Sequence, residues 1–126
     1  QVQVKTANRK KLLIMLYQGC VKFLRLAKKN IEEENIEEAN NYIIRSQDII
    51  RELMNTLDRE KGGEVANNLY NLYDFMNRQL VQANINKEIE PLETVEEMML
   101  ELLETWKQAM NGQNQNQSDT DVNVKG

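Results

Sequence analysis

Histidine is absent from this chain and cysteine occurs once, at Cys20. Those two facts remove the commonest general base, the Cys/His nucleophile pair and any zinc site built from both ligands. The Glu-x-x-His signature of di-iron bundles is excluded for the same reason. A lone cysteine cannot form an internal disulfide, and on an apolar helical face it fits a reducing compartment such as the cytoplasm. Proline occurs once, at Pro91, and no glycine-rich phosphate loop is present. Strand signals are scarce, with few alternating runs and few threonines. The longest apolar run, Leu12 to Tyr17, is six residues, far short of the ~20 needed to span a bilayer. No small-residue cleavage site follows it, so neither membrane insertion nor a signal peptide is expected. The chain opens at Gln1 instead of methionine, which leaves room for a natural segment ahead of it. Glutamate pairs such as Glu96 and Glu97 read as a solubilising face. The sequence is therefore not read as an enzyme, and no cofactor is expected.

What is there is helical periodicity, organised around Gly62 to Asn84. Two glycines stop the preceding element, and Glu64 follows where an acidic residue favours a helix start. Val65, Leu69, Leu72, Tyr73, Met76, Leu80 and Ala83 then form one stripe, with Tyr70, Phe75 and Val81 lying off it. A helix with apolar residues beyond one stripe must meet more than one neighbour, or a partner.

The other segments follow in order. Asn8 is a candidate cap for a helix over about 9–33, carried by Leu13, Leu16, Cys20, Leu24, Ala27 and Ile31. Arg9, Lys10 and Lys11 would sit at its positive end, so its first turn is expected to fray. Leu12 to Tyr17 points in every direction around it, which fits burial between two neighbours or, alternatively, a docking groove. Asn35 to Glu38 reads as a variant capping box. Ile36, Ala39, Ile43, Ser46, Ile50, Leu53 and Leu57 carry the second helix, with Tyr42, Ile49 and Thr56 in a line beside them. Pro91 suits the first turn of a fourth helix, with Leu92, Val95, Met99, Leu102, Trp106 and Ala109 at heptad spacing. Gly112 should end it.

The pattern predicts an all-α fold: an antiparallel up-down-up-down four-helix bundle with a disordered C-terminal tail. Its divisions are a flexible segment over 1–8, the bundle over 9–111 and the tail over 112–126. Charge is uneven: eight lysines and arginines and no acid lie between Gln1 and Lys29, and the fourth helix is acidic. In such a bundle those faces are adjacent and attract. A basic nucleic-acid face is the rival reading, opposed by a net charge of −4 and by basic-segment aromatics that look apolar-packed. No nucleic-acid partner is expected.

The run from Thr56 to Asn84, TLDREKGGEVANNLYNLYDFMNRQLVQAN, closely resembles the flagellar secretion chaperones of the FliS family. So do Lys11 to Ala27, Tyr42 to Leu53 and Glu104 to Met110, in the same order. The resemblance implies a bundle that binds the disordered C-terminal segment of flagellin in the cytoplasm, preventing premature polymerisation and aiding flagellar export. The export apparatus or a co-chaperone would be further partners. It places the flagellin-binding grooves on the second, third and fourth helices, with Ile44, Ile49, Met54, Leu69, Leu72, Phe75, Met76, Leu103 and Met110 as candidates. Each could instead be ordinary core; Leu69, Leu72 and Met76 lie on the inner stripe, whereas adaptable Met54 and Met110 suit a groove. The chain departs from the family at Thr6-Ala7-Asn8-Arg9-Lys10, where a proline and an acidic residue are usual. A family segment containing tyrosine, which folds over the groove, is also missing here. A self-associating structural bundle without a disordered client is the alternative.

Deleting residues 113–126 should leave the melting temperature and client affinity nearly unchanged, because that stretch has little apolar surface to bury. A drop of several degrees by circular dichroism would show that it docks.

Overall fold

The computed structural model describes residues 2–125 in their backbone and residues 9–111 in their side chains. Among the described residues the chain forms four α-helices and no strand: α1 (Val2–Glu32), α2 (Ile36–Asn55), α3 (Gly63–Asn86) and α4 (Glu90–Lys125). Consecutive helices pack together and α1 closes the ring against α4. This is the expected up-down-up-down bundle. With α1 bounded at Val2 and α4 at Lys125, Asn8 does not cap the first helix and Gly112 does not end the fourth. The side chains of the segment expected to be flexible over 1–8 and of the tail expected over 112–126 lie outside those described. With α1 bounded at Val2, Arg9, Lys10 and Lys11 fall inside the helix, which corrects their placement in its first turn.

The turns show why the chain reverses where it does. Glu34 adopts a left-handed φ of 62°, and its N–H donates to the Ile31 carbonyl at 3.0 Å while Asn35 N–H reaches Asn30 at 2.7 Å. Those two bonds close the last turn of α1. Asn35 then occupies the N-cap of α2, but its side chain makes no capping bond. The capping box is therefore absent, because the Asn35 amide is drawn back toward Asn30 Oδ1 at 3.4 Å. At the next turn the two glycines are needed for different reasons. A Cβ on Gly62 would lie 2.6 Å from Ala66 Cβ and 2.7 Å from the Asp58 carbonyl, whereas Gly63 takes φ +56°. Only glycine meets both demands without strain. Pro91 falls in the first turn of α4, where a missing N–H leaves no bond unmade.

The buried faces follow the periodicity with local rotations. On α2, Ala39, Ile43, Ser46, Ile50 and Leu53 are buried as read, while Ile36 at the helix start is exposed. On α3 the stripe is turned: Ala66, Tyr73, Met76, Leu80 and Ala83 are buried, and Val65 and Leu72 are 67% and 38% exposed. On α4, Leu103 is buried where Leu102 was expected, and Trp106 packs against the core from its edge. Small residues let α1 and α2 approach, with Cys20 Sγ 3.9 Å from the Ser46 carbonyl.

At the centre, α1 and α3 share no backbone contact, yet Tyr17 and Tyr73 meet across the diagonal through a hydroxyl–hydroxyl hydrogen bond. Both side chains are essentially inaccessible to water. Their rings stand edge to face, 6.5 Å apart at 60°, the favoured arrangement of aromatic quadrupoles. The Trp106 indole N–H, at the edge of this core, is a buried donor without a hydrogen-bond partner. At the rim, Arg25 Nε meets Glu96 Oε2 at 2.9 Å and Lys28 Nζ meets Glu93 Oε2 at 2.7 Å. The basic first helix and acidic fourth helix do attract. These solvated pairs orient the surface and add little to stability.

Tyr17→Phe or Tyr73→Phe leaves one hydroxyl buried and unpaired, and should cost about 1–3 kcal/mol in urea unfolding. The double variant should cost less than the sum. Burial raises both phenols above their ordinary value of 10.0. A raised folded-state pKa gives stability that is full below pH 10 and declines as pH rises past it. The double variant should lose less stability in that range.

Candidate functional site

Among the described residues, clefts run along the bundle's outer seams. The α2–α3 seam holds two adjoining cavities of about 420 and 370 Å³ that share Gln47, Arg51 and Val81 in their walls. Met54 and Tyr70 border one end of this trough, and Ile85 and Lys87 the other. A second cleft, about 520 Å³, lies near the N-terminal half of α1, where Leu12, Leu13 and Leu16 meet Thr56 beside Arg9 and Lys10. The third, about 410 Å³, runs between α1 and α4 over Val21, Leu26, Leu100 and Leu103.

The candidate residues do not share one groove. Met54 lines the α2–α3 trough, and Leu103 is buried with its edge in the α1–α4 cleft. Ile44, Leu72 and Phe75 are 41%, 38% and 40% exposed. Leu69 is half-buried against the core, and Met110 is half-buried near the end of the described part of α4. Met76 is wholly enclosed in the core, out of reach of any partner of the folded bundle. Ile49 packs against the core beside Gly19, its Cδ1 3.6 Å from where a Cβ there would sit. Ile49 and Met54 therefore lie on opposite flanks of α2, one toward α1 and one toward α3.

Other surface residues were not among the candidates. Ile85, 75% exposed, and Val81 line the α2–α3 trough. Val81 had a signal in lying off the α3 stripe. Ile85 had none, because it lies beyond the Gly62 to Asn84 stretch in which the stripe was read. Leu12, Met15 and Leu100 are also exposed. Asn77, in the trough wall, carries a side-chain oxygen that is buried without a partner. An amide on a helix looks like ordinary surface until its neighbours are known.

Two local contacts shape the trough. Arg59 lies over the Tyr70 ring, 4.2 Å from its centroid, and donates from Nε to Asn67 Oδ1 at 3.0 Å. Lys87 Nζ donates to the Asn84 carbonyl and Oδ1, both at 2.6 Å. The one thiol, Cys20, is fully buried, and desolvation pushes it up to about 12, which suppresses the thiolate that nucleophilic chemistry needs. No cluster of metal-ligating side chains occurs among the described residues.

A helical bundle with clefts along its seams and exposed apolar side chains beside them is, as a class, a scaffold for binding another chain. The chain belongs to the FliS family: the sequence model described as flagellar protein FliS matches residues 1–113. It is 42% identical over 110 residues to the flagellar secretion chaperone FliS of Bacillus subtilis (strain 168), covering 87% of this chain and 81% of that protein. Over 106 residues it is 36% identical to the flagellar secretion chaperone FliS of Salmonella typhimurium (strain LT2), covering 83% of this chain and 78% of that one. Among solved structures, a bacterial flagellar chaperone shares the fold with a TM-score of 0.81 at 18% identity, covering 89% of this chain and 91% of its own.

Burial orders the consequences of charge insertion. Ile50→Asp and Met76→Asp should unfold the bundle, because each buries an unpaired carboxylate. Ile44→Asp should keep near-native helicity and melting temperature by circular dichroism. Ile49→Asp should fall between them, since its side chain is only partly enclosed.

Proposed function

We propose that this chain is a cytoplasmic export chaperone that holds the disordered C-terminal segment of flagellin along the seams of its bundle. The observation that carries the reading is the set of apolar-edged clefts on a bundle whose relatives are named flagellar secretion chaperones. Exposed Leu12, Leu72, Phe75, Val81 and Ile85 supply anchor points on several faces. Separated anchors suit a long flexible chain that wraps, since such a chain engages each patch in turn. Affinity then comes from a few desolvated side chains, and surrounding charges tune the encounter.

Masking that segment would keep flagellin from polymerising before export, and the loaded complex would be what the export apparatus or a co-chaperone meets. No catalytic step is assigned to the chain. No helix among the described residues is long and apolar enough to cross a membrane, and the proposed work requires no insertion.

The immobilised protein should retain intact flagellin and fail to retain flagellin truncated at its C-terminal segment. In light scattering, a molar equivalent should suppress polymerisation of the intact protein. Equal retention of both forms, or of neither, would overturn the reading. Concentration-dependent self-association without any flagellin binding would favour a structural bundle instead.

A further inference from the structure

We infer that the solvent-facing edge of α1 is a docking surface for an anionic lipid bilayer. The bundle would lie on it peripherally, with that helix parallel to the membrane plane. This goes beyond the client reading above and does not depend on what the seams bind.

α1 carries two opposed faces. Tyr17, Cys20, Val21, Leu24 and Ala27 are buried in the core. Lys11, Met15, Gln18, Lys22 and Lys29 recur at steps of four, three, four and seven, which lines them up on the other side. All five are exposed. From Lys11 to Lys29 the stripe is roughly 27 Å long at the helical rise. No acidic residue occurs in α1 before Glu32.

The charges along this stripe are uncompensated. Arg25 and Lys28, on the flank toward α4, are held by Glu96 and Glu93. Arg51 and Arg78 pair with Asp48 and Asp74 within their own helices. Lys11, Lys22 and Lys29 make no ion pair among the described residues. The α4 carboxylates Glu97, Glu101 and Glu104 are exposed on the side of their helix away from its buried Val95 and Met99. The net charge of −4 is therefore carried by other faces, and the α1 edge presents cations alone.

Two features favour a bilayer over other polyanions. Met15, 64% exposed, stands within the stripe, and exposed Leu12 lies one turn before it. Apolar side chains among lysines suit a lipid interface. They enter between headgroups, while the lysine stems lie along the surface and their ammonium groups reach phosphates. A nucleic-acid backbone offers Met15 no such burial. The rings that would stack on bases are also committed, because Tyr17 is buried and Phe23 stacks on Tyr42 beneath Arg45. The edge is convex, being the outside of one helix. A fluid surface conforms to that shape, whereas a rigid partner would need a matching groove.

The test is flotation of the full chain with vesicles of phosphatidylcholine, either alone or mixed with phosphatidylglycerol. The chain should float with the mixed vesicles at low salt, stay behind with phosphatidylcholine alone, and detach as salt rises. Lys11→Gln, Lys22→Gln and Lys29→Gln together should weaken partitioning about a hundredfold, near fivefold for each cation. The melting temperature should not change. Met15→Gln should weaken partitioning about threefold through lost apolar burial. Arg51→Gln, Lys61→Gln and Arg78→Gln together remove equal charge from α2, α3 and the turn between them. That control should leave vesicle binding within about twofold of the native level. Duplex RNA of mixed sequence is titrated in parallel. Equal flotation with both vesicle types, or with neither, would overturn the inference. So would native-like flotation of the triple lysine variant or of Met15→Gln. RNA binding that the lysine variant loses, with vesicles unbound, would make the edge a nucleic-acid face instead.

Discussion

The hydrogen bond between the Tyr17 and Tyr73 hydroxyls is the constraint on which the arrangement depends. It is the point where α1 and α3, which do not touch through their backbones, are held to a common register. Two phenols placed at the centre of an apolar core would be a serious defect if either lacked its partner. Once they pair, the rotation of both helices is fixed, because a turn of either one would separate the hydroxyls. Trp106, on α4, packs against the same core from its edge.

From that fixed centre, the outward residues follow. With Tyr73 turned inward, Met76, Leu80 and Ala83 go with it at steps of three and four, and Leu72 and Phe75 are carried toward solvent. The same rotation places Asn77 and Val81 against α2. The bundle thus acquires an amide-walled seam on one side and apolar seams on the others.

Much of this was legible in the residues. Gly62 and Gly63 mark their turn unambiguously, since one position has no room for a Cβ and the other has a positive φ. Pro91 marks the start of α4. The ion pairs Arg25–Glu96 and Lys28–Glu93 were foreshadowed by charge segregation between the first and last helices. The candidate site was less legible. Met76 carries the same thioether that suits a groove, yet lies in the core, while Ile49 and Met54 fall on opposite sides of one helix. Adaptability of a side chain does not say which way it faces.

The sequence by itself determined the helices, their order and the short connections that force an antiparallel ring, because spacing, glycine and proline act locally. It also determined the family, through a long continuous run that survives reading in one dimension. Tertiary structure decided which part of each broad apolar stripe is enclosed. Helical periodicity sets the angle between residues of one helix but leaves its rotation about its own axis free. That rotation is set by neighbours distant in the chain, as when Tyr17 finds Tyr73 or Ala66 takes the inward position in place of Val65.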